Sequence, residues 1–127
     1  MVKALEDARK AARRAQEAMY EGLCTIVEYR VVRDEKTKLS EEKEVIVAEG
    51  LPCRLSFEKL DGASQAEAAS TVSQRVKLFL GPGVKVNSGS KIIVTQNGTT
   101  GEYSASGVPA IYATHQEIIL GLFRGWA

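Results

Sequence analysis

The run Lys91-Ile92-Ile93-Val94-Thr95-Gln96-Asn97-Gly98-Thr99-Thr100-Gly101-Glu102-Tyr103-Ser104 decides the class of fold. Its first six residues have high β-propensity and lead into Asn-Gly, the dipeptide that best tolerates the two left-handed positions of a tight hairpin turn. The chain should therefore turn back on itself and pair residues 99–104 with residues 91–96.

The same period of two spreads upstream. In residues 74–80, Val76, Leu78 and Leu80 share one face, with Lys77 and Phe79 on the other. Cys53, Leu55 and Phe57 alternate in the same way with Arg54, Ser56 and Glu58, after punctuation by Gly50 and Pro52. Residues 24–32 and 44–48 read as two further strands, joined most simply as a hairpin through the charged connection 34–42. Gly81-Pro82-Gly83 ends one strand, residues 84–86 form a short extended piece, and Asn87-Ser88-Gly89 is a turn. Downstream, Gly107-Val108-Pro109 should break the ladder before a last strand from about Ile111 to Leu122. The aromatic residues Tyr29, Phe57, Phe79, Tyr103, Tyr112 and Trp126 fall mostly on strand positions that a small core would use.

Only the N-terminus follows the helical period. Leu5, Ala8, Ala12, Ala15 and Met19 recur at spacings of three and four, and Ala4, Ala11 and Ala18 widen that stripe. Glu6 and Lys10 form an i,i+4 pair in the favourable order, and Gly22 is a plausible stop. The alanine face permits close approach to a neighbour while offering little area for strong packing. Arg9, Lys10, Arg13 and Arg14 lie among Glu6, Asp7, Glu17 and Glu21, so they read as a solvated, ion-paired face and not as a phosphate patch.

Between residues 59 and 73 the chain turns small and polar. Gly62, Ala63, Ser64, Gln65, Ala66, Glu67, Ala68, Ala69 and Ser70 include no large apolar anchor, which leaves a long mobile loop or a weak helix. An excursion of this length inside a compact domain marks a candidate partner-contacting segment. The pattern as a whole is mainly β: a small antiparallel β-barrel or sandwich with an N-terminal α-helix and a long internal loop. We divide the chain into the helix, 1–22, and the barrel, 23–127, within a single domain of 127 residues.

Composition narrows the function. Lys plus Arg number 17 against 16 for Asp plus Glu, and a net charge of +1 supplies no overall field to hold a polyanion. No apolar run approaches the roughly 18 residues of a membrane span, and charges interrupt the N-terminus, so the expected location is the cytosol. Cys24 and Cys53 stand 29 positions apart without a CxxC partner; two reduced, buried thiols are expected, with a disulfide open to them only on geometric grounds.

No catalytic apparatus is legible in the sequence. Gly81 to Lys91 lacks the Gly-Lys-Ser/Thr of a phosphate cradle, because Ser90 separates Gly89 from Lys91 and a strand follows in place of a helix. The dinucleotide pattern fails at Val86. One histidine, His115, cannot build a multi-histidine metal site, and its neighbour two along, Glu117, reads as a structural hydrogen-bond partner. Asn97-Gly98-Thr99 satisfies the glycosylation pattern but reads as turn chemistry. We therefore expect no enzyme, no cofactor and no metal.

Taken in order, the segments resemble a known family. An Ala/Arg-rich helix ends at Met19 and runs into Cys24-Thr25-Ile26; Leu51-Pro52-Cys53-Arg54-Leu55-Ser56, a spacer, Val72-Ser73-Gln74 and Lys77-Leu78-Phe79-Leu80 follow. Then come Ser88-Gly89-Ser90-Lys91-Ile92-Ile93-Val94-Thr95, Ser106-Gly107, Tyr112-Ala113-Thr114-His115-Gln116-Glu117-Ile118 and Trp126-Ala127. This ordered set resembles the minor capsid, head-closure or stopper proteins of tailed bacteriophages and prophages of Gram-positive bacteria. The resemblance implies a ring subunit of the virion neck, made in the host cytoplasm, that sits beneath the portal and adaptor, retains packaged DNA and offers a docking surface to the tail or its terminator. It implies self-association in a ring, of roughly six or twelve copies, around double-stranded DNA that passes without sequence-specific binding. By position, residues 62–70 would be the loop that occludes the channel, and Leu5, Ala8, Ala12, Ala15 and Met19, with exposed strand edges, the subunit interface. The alternatives are an adaptor or tail-completion protein, or an OB-like or SH3-like barrel that grips single-stranded nucleic acid through Lys77, Lys85, Lys91 and nearby aromatics.

Overall fold

The computed structural model describes residues 2–59 and 74–126. Among these, one helix, α1 (Val2–Glu17), precedes six strands: β1 (Gly22–Arg33), β2 (Ser40–Lys59), β3 (Gln74–Leu80), β4 (Lys91–Gln96), β5 (Thr99–Ile111) and β6 (Gln116–Leu122). The strands close into an antiparallel barrel in the order β1-β2-β3-β6-β5-β4. The β4–β5 hairpin forms where the sequence predicts it. Asn97 (φ 53°) and Gly98 (φ 75°) both take the left-handed conformation that matches the twist of the flanking strands, and Gln96 pairs with Thr99. In β3, Leu78 and Leu80 are buried, Val76 is half-buried, and Lys77 lies on the outer face.

The core is aliphatic. Ile26, Leu78, Leu80, Ile92 and Ile118 are fully enclosed, joined by Val86, Val94, Leu55, Leu120 and both cysteines. The aromatic residues expected there are outside it, which corrects the sequence reading. Phe57 is 54% exposed and Tyr112 52%, and only Tyr103 packs partly against the core cluster. A six-stranded barrel is narrower than the eight-stranded barrels whose interiors side chains just fill, and branched aliphatic residues suit that space better than rings. Phe57 keeps the inward phase of Cys53 and Leu55, but it lies at the open end of the barrel, where it lines an opening of about 280 Å³ with Leu55, Val94, Gln96 and Tyr103. Cys24 and Cys53 are free and buried, as expected, and hydrogen-bond to each other; that bond and burial push the Cys24 thiol up.

Other boundaries differ from the sequence reading. The helix ends at Glu17, through backbone bonds from Met19 to Gln16 and from Tyr20 to Glu17, and Gly22 already belongs to β1. The two strands placed at 44–48 and 53–58 are one strand, β2, because Gly50 (φ 67°) absorbs a register shift in the ladder instead of ending it. Pro52 is tolerated because the β3 ladder begins only at Cys53, so nothing across that edge asks for its missing N–H. Gly107-Val108-Pro109 is likewise a bulge, and β5 continues to Ile111; residues 112–115 then turn, so the last strand starts at Gln116 and not near Ile111. Residues 84–86, read as a short extended piece, join no ladder among the described residues, and Val86 is buried. The candidate channel loop, residues 62–70, lies outside the described residues.

Gln116 fastens the 81–84 turn to the barrel. It is fully buried, and its Nε2 donates to the carbonyls of Gly81 (2.8 Å) and Val84 (2.5 Å). Each bond to a buried carbonyl is worth about 1 kcal/mol, and more when its loss leaves the acceptor unpaired. Gln116→Leu should therefore lower stability by about 2 kcal/mol and the melting midpoint by on the order of 10 °C. Thermal denaturation followed by circular dichroism checks this, and an unchanged midpoint would dismiss the fastening role.

Candidate assembly surfaces

The helix makes little use of its own barrel. None of its residues is buried, and Leu5, Ala8, Ala12, Ala15 and Met19 are all exposed. Its contacts with the barrel lie at polar positions near its end: Arg13 reaches the Ala113 carbonyl (3.4 Å), and just beyond it the Tyr20 hydroxyl reaches that of Leu80 (3.4 Å). Burial raises the Tyr20 pKa, with a further push from the Glu17 charge. The structure thus places Leu5, Ala8, Ala12 and Ala15 on one solvent-facing helix, with Met19 exposed in the turn that follows it.

The second surface is the hairpin that the sequence reading places through the 34–42 connection, whose departure from the barrel it does not predict. Beyond Val27 and Ile46, β1 and β2 leave the barrel as a two-stranded arm that reaches the 34–39 turn. Asp34 shapes that turn, accepting from the backbone N–H groups of Lys36 and Lys38 and donating its own to Leu39. Val31, Leu39, Ile46 and Val47 are exposed along the arm.

The arm is clasped at its base by the C-terminal residues. Trp126 stacks on Tyr29 (centroids 5.0 Å apart, planes 13° apart), meets Phe123 edge-on, and donates from Nε1 to Glu44 (2.9 Å). The same carboxylate accepts from Lys91 Nζ at 2.6 Å, and Lys91 also lies 4.8 Å over the Phe123 ring and 3.5 Å from Glu102. The bond from Lys91, then that from Trp126, lowers the Glu44 pKa, and the bond to Glu44 raises that of Lys91. Lys91 is nearly buried, so its charge is held by two carboxylates and a ring face. The sequence signal for this clasp is faint: Tyr29 and Glu44 are merely opposite one another in a hairpin register that only the structure fixes.

A third cluster lies at the β5–β6 turn. His115 sits between Tyr112 (5.0 Å, stacked) and Phe79 (5.7 Å), with Thr114 Oγ1 3.0 Å from Nδ1. Its Nε2 donates to Glu117 Oε2 at 2.9 Å, the pairing expected from their spacing. Lys77 lies 3.5 Å from both Glu117 and Glu58. The His115 bond, helped by Lys77, holds the Glu117 carboxyl below its ordinary range. Val108 on the neighbouring bulge is 92% exposed. Among the described residues no group of three metal-ligating side chains assembles, and no helix is long and apolar enough to cross a membrane.

No protein-family model matches the chain, and no curated protein matches it. Among solved structures, that of the phage-like element PBSX protein xkdH from Bacillus subtilis is similar in shape, with a TM-score of 0.46 and 12% identity over 77% of this chain and 90% of that one.

Two outcomes follow from the clusters. Because the folded Glu117 pKa lies below its unfolded value, its contribution is present above about pH 4.5 and is lost as the pH falls through the lower folded value. Urea unfolding at pH 6 and pH 3 should show a smaller acid loss in Glu117→Gln than in the wild type; equal losses would take Glu117 out of the acid response. Trp126→Ala should release the arm base, seen as faster amide exchange at residues 28–33 and 40–46 with the barrel amides unchanged. Unaltered arm exchange would show that the clasp does not hold it.

Proposed function

We propose that this protein is a structural subunit of a tailed-phage neck: a head-closure subunit that forms a ring beneath portal and adaptor, retains packaged DNA and receives the tail. The observation that carries this is α1, a helix whose small and apolar stripe at Leu5, Ala8, Ala12 and Ala15, continued by Met19 in the turn just beyond it, is left uncovered by the described residues of the barrel. The resemblance of the ordered motifs to those of head-closure proteins supports the same reading. A ring subunit of this kind works by interfaces and needs no active site, cofactor or metal. Its place is the virion, with portal, adaptor and tail proteins as partners, a second copy as neighbour, and DNA sliding through the lumen. Residues 62–70 are our candidate for the channel segment on their position between β2 and β3. An adaptor or tail-completion role in the same neck would use the same surfaces.

A barrel for single-stranded nucleic acid is less well supported, because Lys77 and Lys91, two of its three lysines, are already held by carboxylates. Its test is oligonucleotide binding at low salt, where a steep salt dependence would favour it over the neck reading.

Light scattering and negative-stain imaging of the protein, alone and with portal and adaptor from the same source, should give rings on the portal–adaptor assembly. A strict monomer indifferent to that assembly would overturn the head-closure reading. Ala8→Glu with Ala15→Glu should leave a folded barrel by circular dichroism and abolish assembly, since two carboxylates would have to be desolvated in the contact. Normal neck assembly by that variant would remove the helix from the interface.

A further inference from the structure

The arm presents two edges that the barrel does not use. β1 pairs with β4 only as far as Val27, and β2 pairs with β3 only from Cys53. Among the described residues, therefore, residues 28–33 of β1 have only β2, and residues 40–52 of β2 have only β1, as strand neighbour. No other strand among the described residues takes up the outward backbone N–H and C=O groups of either strand, and such rows are templates for another strand. On the β1 side a cleft of about 320 Å³ is lined by Glu28, Tyr29, the 87–90 turn and Trp126, and it is bridged where Asn87 Nδ2 donates to the Glu28 carboxylate (2.9 Å).

The two edges differ in charge. Residues 28–33 include Arg30 and Arg33 against Glu28, whereas residues 40–46 include Glu41, Glu42 and Glu44 against Lys43. One edge is thus net positive and the other net negative, and they face away from each other across a two-stranded ribbon. A closed ring needs such a pair of different patches on each copy, while a two-fold dimer needs one patch that matches itself. Arms related by rotation about a common axis also place the β2 of one copy antiparallel to the β1 of the next.

Resting on the neck reading, we propose that a second copy of this chain occupies the arm: the β2 edge of each arm pairs with the β1 edge of its neighbour, and the arms join into one continuous sheet around the ring. The clasp of Trp126, Phe123, Lys91 and Glu44 fixes the direction in which each arm leaves its barrel, so that little ordering remains for assembly. The exposed Val31 and Ile46 then meet apolar counterparts on adjacent arms.

Charge exchange tests this. Arg30→Glu with Arg33→Glu makes both edges acidic, and Glu41→Lys with Glu42→Lys makes both basic. Each double variant should lower the fraction of protein in rings on the portal–adaptor assembly by about tenfold or more. The four changes together restore opposite edges and should restore rings. Amide exchange provides an independent readout, with residues 28–33 and 40–46 becoming protected in wild-type rings. Rings formed equally by all variants, without new protection on the arms, would overturn the arm pairing and leave the neck reading intact. A wild type that forms no ring would overturn both. Loss in the double variants without rescue in the fourfold variant, and without arm protection, would also count against edge pairing.

Discussion

The length of one ladder governs this molecule. β1 pairs with β2 along its whole run from Gly22 to Arg33, but its other side pairs with β4 only from Leu23 to Val27. Barrel closure rests on that short second ladder, because it joins the first strand to the fourth and removes the sheet's edges. Where it ends, the remaining half of β1 can only travel with β2, away from the core. The register shifts around Ile26 fall at this point, and they turn the outer half of the hairpin out of the barrel wall. Ile26 joins the core cluster, whereas Val27 next to it is buried outside that cluster.

Once the arm has left the wall it has no core of its own, and a two-stranded hairpin is marginal in water. The clasp supplies what the barrel cannot. Tyr29, Trp126 and Phe123 pack as aromatic rings, while Glu44 is shared by Lys91 and the Trp126 indole. Lys91 lies in the last pair of the closing ladder, opposite Val27, so the same residue ends the barrel seam and anchors the arm. Exposed ion pairs contribute little, but Lys91 is nearly buried and holds two carboxylates, so its removal would leave both without their cation.

Much of this architecture was legible because it is local. The Asn97-Gly98 turn, the alternation in β3 and the helical stripe each follow from a few neighbouring residues, and each stands in the structure. The missed features depend on distant partners. Gly50 and Gly107 look like strand breaks, and only the register of the opposite strand shows that they are bulges within continuous strands. Aromatic residues on strand positions looked like core, and only the bore of a six-stranded barrel shows why they sit outside. Of the candidate surfaces, the helix stripe and the hairpin were legible and the clasp at the arm's base was not, since Tyr29, Glu44, Lys91 and Trp126 come from four separate stretches that a composition or period cannot join.

Open edges are hazardous, and the way this arm is guarded bears on what it is for. Natural sheets protect a bare edge with charges, bulges or short strands, any of which would repel a chance partner. Here the guard is asymmetric. Arg33 on β1 forms no ion pair among the described residues, and Arg30 is held by Glu28, whereas β2 alternates Glu41, Glu42 and Glu44 around a single Lys43. A guard meant only to repel would place one sign on both edges, so that every approach of two arms met like charges. Opposite signs refuse β2-to-β2 and β1-to-β1 contact but admit β2 to β1. The same charges that keep the arm from indiscriminate pairing therefore select the one arrangement that can close.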